Sequence, residues 1–458
     1  MKSFFTLAAA ALLSINVSAY KTPGNGTTWS FATLAKESGS GVSIVDVDGK
    51  SCFLLTQNDT IAEGDQFVMD KQATVLFGNS ITFVVMGHAD FTADNALFAP
   101  YTEAGGQSEP YGIVVSNEVS QTVFTNCHFS VVGLRSMSSK GMSLSDCSFT
   151  DHNGLSGQAA LLLGTNGAPF SVVRCAFTHC RRCAIAGAAN YYNPLTIENC
   201  VFTENGQANG NTPQLNLTVA SKVTVKDCII KGDPTKNNVG GIVVANLMGS
   251  PEVMKTYIED CHITDNRFGI ATYLSQRAYI RNNIIVDNNH ETNPNNGGSG
   301  INVYDPYNTQ ITYIEGNYIE GNLWGVTLVG GMTANLGRID VQEDHISYNP
   351  GRNVFKNNGN NGVLYDLYNN SKNTVYAQGN TWNCAAQTAE EIEKVIFHKA
   401  DDDALGEVIF MPQDDGVTIL SADKTVNQSA RAYNLQGILQ ASPSGRGISI
   451  VNGKKILR

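Results

Sequence analysis

Asn199-Cys200-Val201-Phe202 is one copy of a short motif that recurs from about Asn126 to Asn380 and decides the fold. Each copy has a small or polar residue, then Cys or Asn as its anchor, then any residue, then an apolar residue such as Phe or Ile. The other copies are Asn126-Cys127-His128-Phe129, Asp146-Cys147-Ser148-Phe149, Arg174-Cys175-Ala176-Phe177, Asp227-Cys228-Ile229-Ile230, Asp260-Cys261-His262-Ile263, Asn282-Asn283-Ile284-Ile285, Gly316-Asn317-Tyr318-Ile319, and the shorter Asn353-Val354-Phe355 and Asn380-Thr381-Trp382. Successive anchors lie 20 to 36 residues apart. A repeat of this length with variable inserts indicates a solenoid.

Three short strands are predicted in each repeat. One lies at the motif itself, one precedes it, as in Lys222-Val223-Thr224-Val225-Lys226, and one begins at a glycine, as in Gly300-Ile301-Asn302-Val303. Their apolar residues are mostly β-branched or aromatic and alternate with polar ones, and the links are rich in Gly, Asn and Asp. Three alternating strands per repeat predict a parallel β-helix.

In these motifs the chain resembles the pectate-lyase-like superfamily of right-handed parallel β-helices, over residues 111–384. The resemblance implies an all-β, right-handed solenoid. It implies little about function, because this fold hosts lyases, hydrolases, epimerases, adhesins and inert spikes.

The N-terminal part of the chain predicts export. Residues 1–19 have a charged start at Lys2, an apolar run over Phe4–Leu13 and the small-residue cleavage site Val17-Ser18-Ala19, which together indicate a signal peptide. Residues 20–110 are rich in predicted strands but lack the motif. We expect them to form an N-terminal β cap and the first coils, because the open end of a solenoid needs cover.

The C-terminal part changes composition after Asn380. Ala389–His398 is predicted to be helical, with Thr388 as N-cap and Glu391 at the capping-box spacing. Residues 385–413 resemble the closing segment of many β-helix repeat proteins, so we expect a C-terminal cap in which His398 is structural. Residues 414–458 are predicted to be a polar link and a tail of two strands about a loop. This tail resembles the sorting tails of the type IX secretion system, which implies outer-membrane secretion machinery as a partner and a secreted or cell-surface location.

Charge narrows the ligand class. The formal net charge is −11 and the pI is about 5.2. A nucleic-acid partner is not expected, because it would require a basic stripe. A strongly polyanionic substrate is also disfavoured unless a local basic patch or a bound cation offsets the field. We expect a monomer.

The cysteines divide into two groups. Six occupy the anchor position, and stacked coils place equivalent residues about 4.8 Å apart, so we expect an inward ladder of free thiols at Cys127, Cys147, Cys175, Cys200, Cys228 and Cys261. Cys180 and Cys183 form a single CxxC beside two arginines. Turn packing or a local disulfide is favoured there over a metal site.

Two further sets of similar residues recur at a fixed distance after the anchor, and we call each set a column. Five residues after the anchor stand Asn205, Asn266, Asn288, Asn322 and Asn358, which predict a structural Asn ladder. Four residues after it stand Asp151, Glu204, Asp265 and Asp287. Asp265 and Asp287 fall on consecutive coils. Their carboxylates therefore predict either a raised pKa and a calcium site or, as the alternative, a solvated acidic turn.

The turn after the glycine-led strand carries aromatic residues that predict a ligand edge. These are Tyr273, Tyr304, Tyr307, Tyr365 and Tyr368, with Trp324 nearby. Exposed rings at coil spacing suit stacking on sugars, although the same tyrosines could simply cover the solenoid edge. Asp305 and Asp366 are predicted to lie two coils apart on this edge, roughly 10 Å along the axis. That distance is close to the separation used by inverting glycoside hydrolases.

Known catalytic signatures of the superfamily are missing from the sequence. Asp305-Pro306-Tyr307 keeps two residues of the Asp-Pro-His motif of alginate epimerases but lacks the His that would transfer a proton. Arg267 could act as a lyase base or charge clamp, but no partner for it can be identified. The sequence therefore predicts an exported protein that binds glycans. A polysaccharide lyase or glycoside hydrolase with a non-standard site, and a structural or adhesive surface protein, are the alternatives.

Overall fold

The structure is a computed structural model that describes residues 20–101, 111–154, 159–164, 169–187, 194–218, 222–247, 254–274, 277–291, 293, 295–307 and 311–412, together with four short strands near the C terminus. The predicted signal peptide lies outside the described residues. No helix in the described part of the chain is long and apolar enough to span a membrane.

The fold is the predicted right-handed parallel β-helix, and each coil contributes one strand to each of three sheets. Sheet 1 contains the glycine-led strands, stacked in sequence order and all parallel. Its 14 strands are Tyr20–Lys21, Asp59–Ile61, Phe83–Val85, Tyr111–Val115, Gly133–Ser136, Ala159–Leu163, Cys183–Gly187, Pro213–Thr218, Gly240–Ala245, Ile270–Tyr273, Ser299–Asp305, Trp324–Gly330, Leu367–Ser371 and Ile396–Phe397.

Sheet 2 contains the strand that precedes each anchor. Its strands are Thr28–Trp29, Gln66–Val68, the first part of His88–Pro100, the first part of Thr122–Ser130, Met142–Ser145, Phe170–Val173, Leu195–Glu198, Val223–Lys226, Lys255–Glu259, Arg277–Arg281, Ile311–Glu315, Thr333–Gly337, Val375–Ala377 and Val408–Ile409.

Sheet 3 contains the strand that follows each anchor. Its strands are Val42–Val47, Lys50–Leu55, Thr74–Phe77, the second parts of His88–Pro100 and Thr122–Ser130, Ser148–Thr150, Ala176–Thr178, Val201–Thr203, Ile229–Lys231, His262–Thr264, Ile284–Val286, Tyr318–Glu320 and Val354–Lys356. The first two form an antiparallel hairpin.

Residues 20–101 contribute strands to the same three sheets, beginning with Tyr20–Lys21. Tyr20–Lys21 pairs in parallel with Asp59–Ile61, and Phe83–Val85 pairs with Tyr111–Val115. The helix Phe31–Leu34 buries Phe31, which packs against Phe67 and Phe83 of these coils. The helix therefore covers apolar surface at the N-terminal end of the solenoid.

The turns explain why the motif has its polar residues. The residue before each anchor adopts left-handed backbone, and the residue four places after it does so at most anchors, as at Asp146 (φ 55°), Asn199 (φ 54°), Asp151 (φ 54°) and Asp287 (φ 55°). Asn, Asp and Gly tolerate this conformation better than other residues. Most anchors are thus held between two tight turns that aim the anchor side chain into the core.

The core contains the predicted ladder of thiols. The six anchor cysteines are free and at most 2% exposed. Their sulfurs donate weakly to backbone carbonyls, as from Cys200 Sγ to Glu198 O at 3.3 Å. Burial raises the pKa of Cys228. Beside this ladder, the rings of Phe129, Phe149, Phe177 and Phe202 stack at 4.5, 4.7 and 5.1 Å.

Replacing Cys200 with serine should lower the free energy of unfolding by about 1–3 kcal/mol, because the change buries a poorly satisfied hydroxyl. Equilibrium unfolding in urea measures the effect, and Cys384→Ser, at a partly exposed cysteine outside the ladder, is the matched control. Ready alkylation of Cys200 in the native protein would contradict its place in the ladder.

Cys180 and Cys183 are both free and buried. Burial raises the pKa of each thiol to about 12. The sequence predicts either turn packing or a local disulfide for these two cysteines. The structure contains turn packing, because both thiols are free.

Asparagine replaces cysteine at the anchor in the C-terminal coils and forms a hydrogen-bonded ladder. Asn283 Nδ2 donates to Asn317 Oδ1, Asn317 Nδ2 to Asn353 Oδ1, and Asn353 Nδ2 to Asn380 Oδ1, each at 2.9 Å. The predicted second ladder, five residues after the anchor, is confirmed for four of its five asparagines, whereas Asn205 donates to Gln214 Oε1 and Gln214 in turn donates to Asn266 Oδ1. In this ladder Asn266, Asn288, Asn322 and Asn358 are linked in the same way at 3.0–3.1 Å.

The C-terminal helix is shorter than predicted. It spans Ala389–Glu393, and the Thr388 side chain accepts from Glu391 N as expected. Ile396–Phe397 do not continue the helix but pair in parallel with Leu367–Tyr368 of sheet 1. The strand forms there because these residues satisfy the open backbone edge of the last coil and Ile396 is buried against it.

Residues 411–458 form a separate unit. Within it Leu439–Gln440, Ala432–Tyr433, Ile448–Val451 and Lys454–Leu457 form an antiparallel sheet in that order. The remainder of the predicted tail, 414–458, lies outside the described residues.

Candidate ligand-binding sites

The five predicted tyrosines do not share one edge of sheet 1. Tyr273 and Tyr304 stack at 5.1 Å at the end of their strands, and Tyr307, 71% exposed, follows in the turn. Tyr365 stacks on Trp324 at 5.4 Å where the strands begin, and Tyr368 points outward between the two groups. The inserts between sheets 3 and 1 differ in length, so counting from the anchor misplaced the strand phase.

Asp305 and Asp366 are two coils apart as predicted, but they are not a pair on the surface. Both are fully buried. Asp305 lies opposite Gly330 at the end of its strand, whereas Asp366 lies next to Gly325 at the beginning, and these positions differ by roughly 17 Å along the sheet. The catalytic pairing expected for these residues is therefore wrong.

Asp366 is instead the last acceptor of the second Asn ladder. Its Oδ1 accepts from Asn358 Nδ2 at 3.4 Å, and its Oδ2 accepts from Asn383 N at 2.7 Å. Burial raises the pKa of Asp366 to about 6 against the lowering effect of these hydrogen bonds. The role of this residue is to close a buried polar network.

Arg267 is also part of the scaffold. Its side chain is buried, and its guanidinium donates to Asn211 Oδ1 at 2.6 Å and to the carbonyl of Asn296. Burial lowers the pKa of Arg267. The predicted role as a lyase base fails, because the side chain fastens two inserts to the coil and does not face solvent.

Three aromatic rings on sheet 1 border small side chains on a neighbouring coil. On the coil after Tyr304, the paired residue is Val329. On the coils before Tyr368 and Trp324, the paired residues are Thr327 and Ser299. Asn302 and Thr327 are half-buried and point outward between the rings. We call this surface the tyrosine basin: walls at Tyr304, Trp324 and Tyr368, and a polar floor at Asn302 and Thr327.

A column of tyrosines on sheet 2 differs from the basin, because its rings form one continuous stack. Tyr257, Tyr279 and Tyr313 stack continuously at 5.1 and 5.2 Å, each four residues before its anchor. The Arg281 guanidinium lies 4.6 Å from the centre of the Tyr279 ring. Rings in a continuous stack cover one another's faces and present edges to solvent. The basin differs because its rings lie at the ends of stacks, where a face borders a small residue.

A second candidate site lies at the turn from sheet 3 to sheet 1, four residues after the anchor. There Asp151, His179 and Glu204 occupy consecutive coils. A groove of about 470 Å³ runs over them. Its lining residues are Asp151, His152, Asn153, His179, Arg181, Glu204, Gln207 and Asp233. We call it the His179 groove.

The imidazole of His179 lies between two carboxylates. Its Nε2 is 2.9 Å from Glu204 Oε2, and its Nδ1 is 3.9 Å from Asp151 Oδ1. Lys231 Nζ lies 3.9 Å from the other oxygen of Glu204. The side chains of His179, Glu204 and Asp151 are 49%, 31% and 64% exposed, so the site is open to solvent.

The sequence analysis places Asp151 and Glu204 in one column and does not assign His179 to it. The signal was available, because His179 stands four residues after Cys175. Its meaning depends on coil stacking, which brings residues 25 positions apart to hydrogen-bond distance. A carboxylate that holds one imidazole nitrogen leaves the other to accept a proton, which is the arrangement of a general base.

Asp265 and Asp287 continue this column and lie on consecutive coils, as predicted. Burial raises the pKa of Asp287, and the charges of Asp265 and Glu320 add to the effect. His290 Nε2 lies 3.5 Å from Asp265 Oδ1. A calcium ion at this turn stays a prediction.

Within the described ranges, the side chains close enough to share one ion are those of Glu393, His398 and Asp401. His398 Nδ1 accepts from Val408 N at 2.8 Å, so its Nε2 carries the proton and donates to Glu393 Oε1 at 2.8 Å. Neither nitrogen then has a lone pair for a metal. The cluster links the helix Ala389–Glu393 to the strand Val408–Ile409, consistent with the structural role expected for His398.

Residues 104–253 match the family described as the right handed beta helix region. The crystal structure of the periplasmic alginate epimerase AlgG superposes with a TM-score of 0.46 at 10% identity, covering 84% of this chain and 82% of that one. A mutant of the same enzyme gives a TM-score of 0.42 at 9% identity, with the same coverage. The search of curated proteins gives no match.

Proposed function

We propose that the protein is exported and binds a neutral polysaccharide in the tyrosine basin. The observation that supports this most directly is the set of ring faces at Tyr304, Trp324 and Tyr368 around the amide of Asn302 and the hydroxyl of Thr327. Sugars offer apolar C–H faces and a rim of hydroxyls. Aromatic walls around a polar floor complement both features.

The dimensions of the basin suit successive sugars of a glycan chain. Tyr304 and Tyr368 lie on the coils before and after the coil of Thr327, roughly 10 Å apart along the axis, and two residues apart along the strands. The two rings therefore do not face each other, and each can contact a different sugar at about 3.5–4.0 Å. A glycan chain bound to both rings would run diagonally across sheet 1.

The charge of the molecule favours a neutral glycan. The net charge is −11, and the five residues that define the basin include no lysine or arginine. A polyuronate would therefore meet repulsion from the molecule as a whole without a cationic side chain in the basin to offset it.

Export and surface location complete the proposal. The signal peptide at residues 1–19 would direct the chain out of the cytoplasm, and the tail at 414–458 would serve as an address for outer-membrane secretion machinery. The pectate-lyase-like character of the repeats is part of the same proposal. A monomer suffices, because every residue of the basin comes from one chain.

Tyr304→Ala should weaken glycan binding by about 1–2 kcal/mol, because it removes one aromatic wall. Affinity electrophoresis of the full chain against neutral and acidic polysaccharides measures the effect. Tyr279→Ala is the matched control, since it removes a stacked ring from sheet 2. Equal retardation of both variants would show that the basin is not the binding surface. Absence of retardation by every glycan would favour a structural or adhesive role.

A further inference from the structure

We propose that the His179 groove is a general-base site that hydrolyses O-acyl esters, such as acetate esters, on the polysaccharide. The choice of substrate rests on the proposed glycan binding. The catalytic step rests on the geometry of the groove itself.

His179 is held in the orientation of a base. A carboxylate only accepts hydrogen bonds, so the neutral imidazole donates Nε2–H to Glu204 and bears its lone pair on Nδ1. The Nδ1 atom faces Asp151 Oδ1 at 3.9 Å, which is too long for a direct hydrogen bond. A water or substrate hydroxyl between these two atoms would be aligned for proton transfer to Nδ1.

The lining of the groove favours water as the nucleophile. Its side chains are carboxylates, amides, imidazoles and one guanidinium, with no serine, threonine or cysteine among the described lining residues. The neighbouring Cys180 is buried, and burial raises the pKa of its thiol to about 12. Covalent catalysis by an activated side-chain hydroxyl or thiol is therefore not supported.

An ester fits the groove better than a glycosidic bond. Hydrolysis of a glycosidic bond requires a carboxylic acid that burial keeps protonated, whereas the carboxylates of Asp151 and Glu204 are 64% and 31% exposed. Ester hydrolysis requires a base and a stabiliser for the oxyanion. Arg181 lines the groove and supplies a permanent positive charge for that purpose.

The reaction balances with water as the only co-reactant. His179 Nδ1 removes a proton from water as the water oxygen bonds to the acyl carbon, and the resulting oxyanion lies beside Arg181. The bond from the acyl carbon to the sugar oxygen then breaks, and the proton held on Nδ1 passes to that oxygen. The products are a free sugar hydroxyl and a carboxylic acid, whose ionised form the acidic groove repels.

The test uses the full chain with partially O-acetylated xylan and glucomannan. Acetate and new reducing ends are measured in the same samples. We expect acetate release without reducing ends, and a loss of about 10²–10⁴-fold in His179→Ala. His345→Ala, at an exposed histidine outside the groove, is the matched control and should retain full activity.

Glu204 is a positioning residue, and its test separates kcat from KM. Glu204→Gln should lower kcat and leave KM unchanged, because the carboxylate that holds Nε2–H and stabilises the positive charge formed on the imidazole during the reaction is gone. A purely structural role for Glu204 would not lower kcat while KM stays the same.

Binding and acetate release are measured separately, so the test distinguishes the esterase inference from the proposed glycan binding. Retardation by acetylated glycan without acetate release would overturn the esterase inference and leave the basin intact. Reducing ends in place of acetate would overturn it in favour of a glycoside hydrolase. Absence of binding and of acetate release would overturn both proposals. Acetate release that His179→Ala abolishes, with binding unchanged, would support both.

Discussion

Replacing Asn317 with alanine is expected to lower the free energy of unfolding by about 3–5 kcal/mol. Asn317 Oδ1 accepts from Asn283 N at 3.0 Å and from Asn283 Nδ2 at 2.9 Å, and its Nδ2 donates to Asn353 Oδ1 and Ile280 O, both at 2.9 Å. All of these groups are buried. The substitution would leave donors and acceptors without partners on both neighbouring coils and would open a small cavity.

Equilibrium unfolding in urea checks this prediction, with Asn370→Ala as the control. Asn370 is an exposed asparagine on sheet 1, so its loss should change stability little. Asn317→Cys should fall between the two, because a thiol fills the space but does not replace the acceptor. An effect of Asn317→Ala no larger than that of the control would show that the ladder does not stabilise the C-terminal coils.

Replacing Asp366 with alanine is expected to change the free energy of unfolding by an amount that depends on pH. The pKa of this buried carboxyl is raised from 3.8 to about 6, so the folded state holds a proton that the unfolded state releases between those values. The stability that protonated Asp366 contributes is full below about pH 4 and is lost as the pH rises to about 6. Two pKa units correspond to about 3 kcal/mol.

The wild type and Asp366→Ala should therefore differ more in unfolding free energy at pH 4 than at pH 7, by about 3 kcal/mol. Other titrating groups affect both proteins and cancel in the comparison. Asp366→Asn should be destabilising at both pH values, because an amide places an N–H against the donors of Asn358 and Asn383. A difference between wild type and Asp366→Ala that is the same at both pH values would contradict the assignment of the shift to Asp366.

The sequence predicts part of each proposed site. The residues that form the walls of the basin were all among the aromatic residues that the sequence indicated, but their grouping was wrong. Asp151 and Glu204 of the His179 groove were also visible as a column, whereas Asp233 was not. The pairing of His179 with Glu204, and the burial of Arg267, Asp305 and Asp366, could not be read from spacing.

The sequence by itself determined the fold, the inward thiol ladder and the Asn ladder. These features repeat at a constant distance from each anchor, such as Cys200 or Asn283, and the left-handed residue before the anchor favours Asn, Asp and Gly, although Arg174 and Arg352 also adopt this conformation. Only the tertiary structure decided which outward side chains meet. Inserts of unequal length separate sheets 3 and 1, as at 287–298 and 357–366, so the phase of each sheet 1 strand is set by backbone pairing with its neighbour and not by distance from the anchor. Tyr304, Tyr368 and Asp366 therefore took positions along the sheet that counting could not predict.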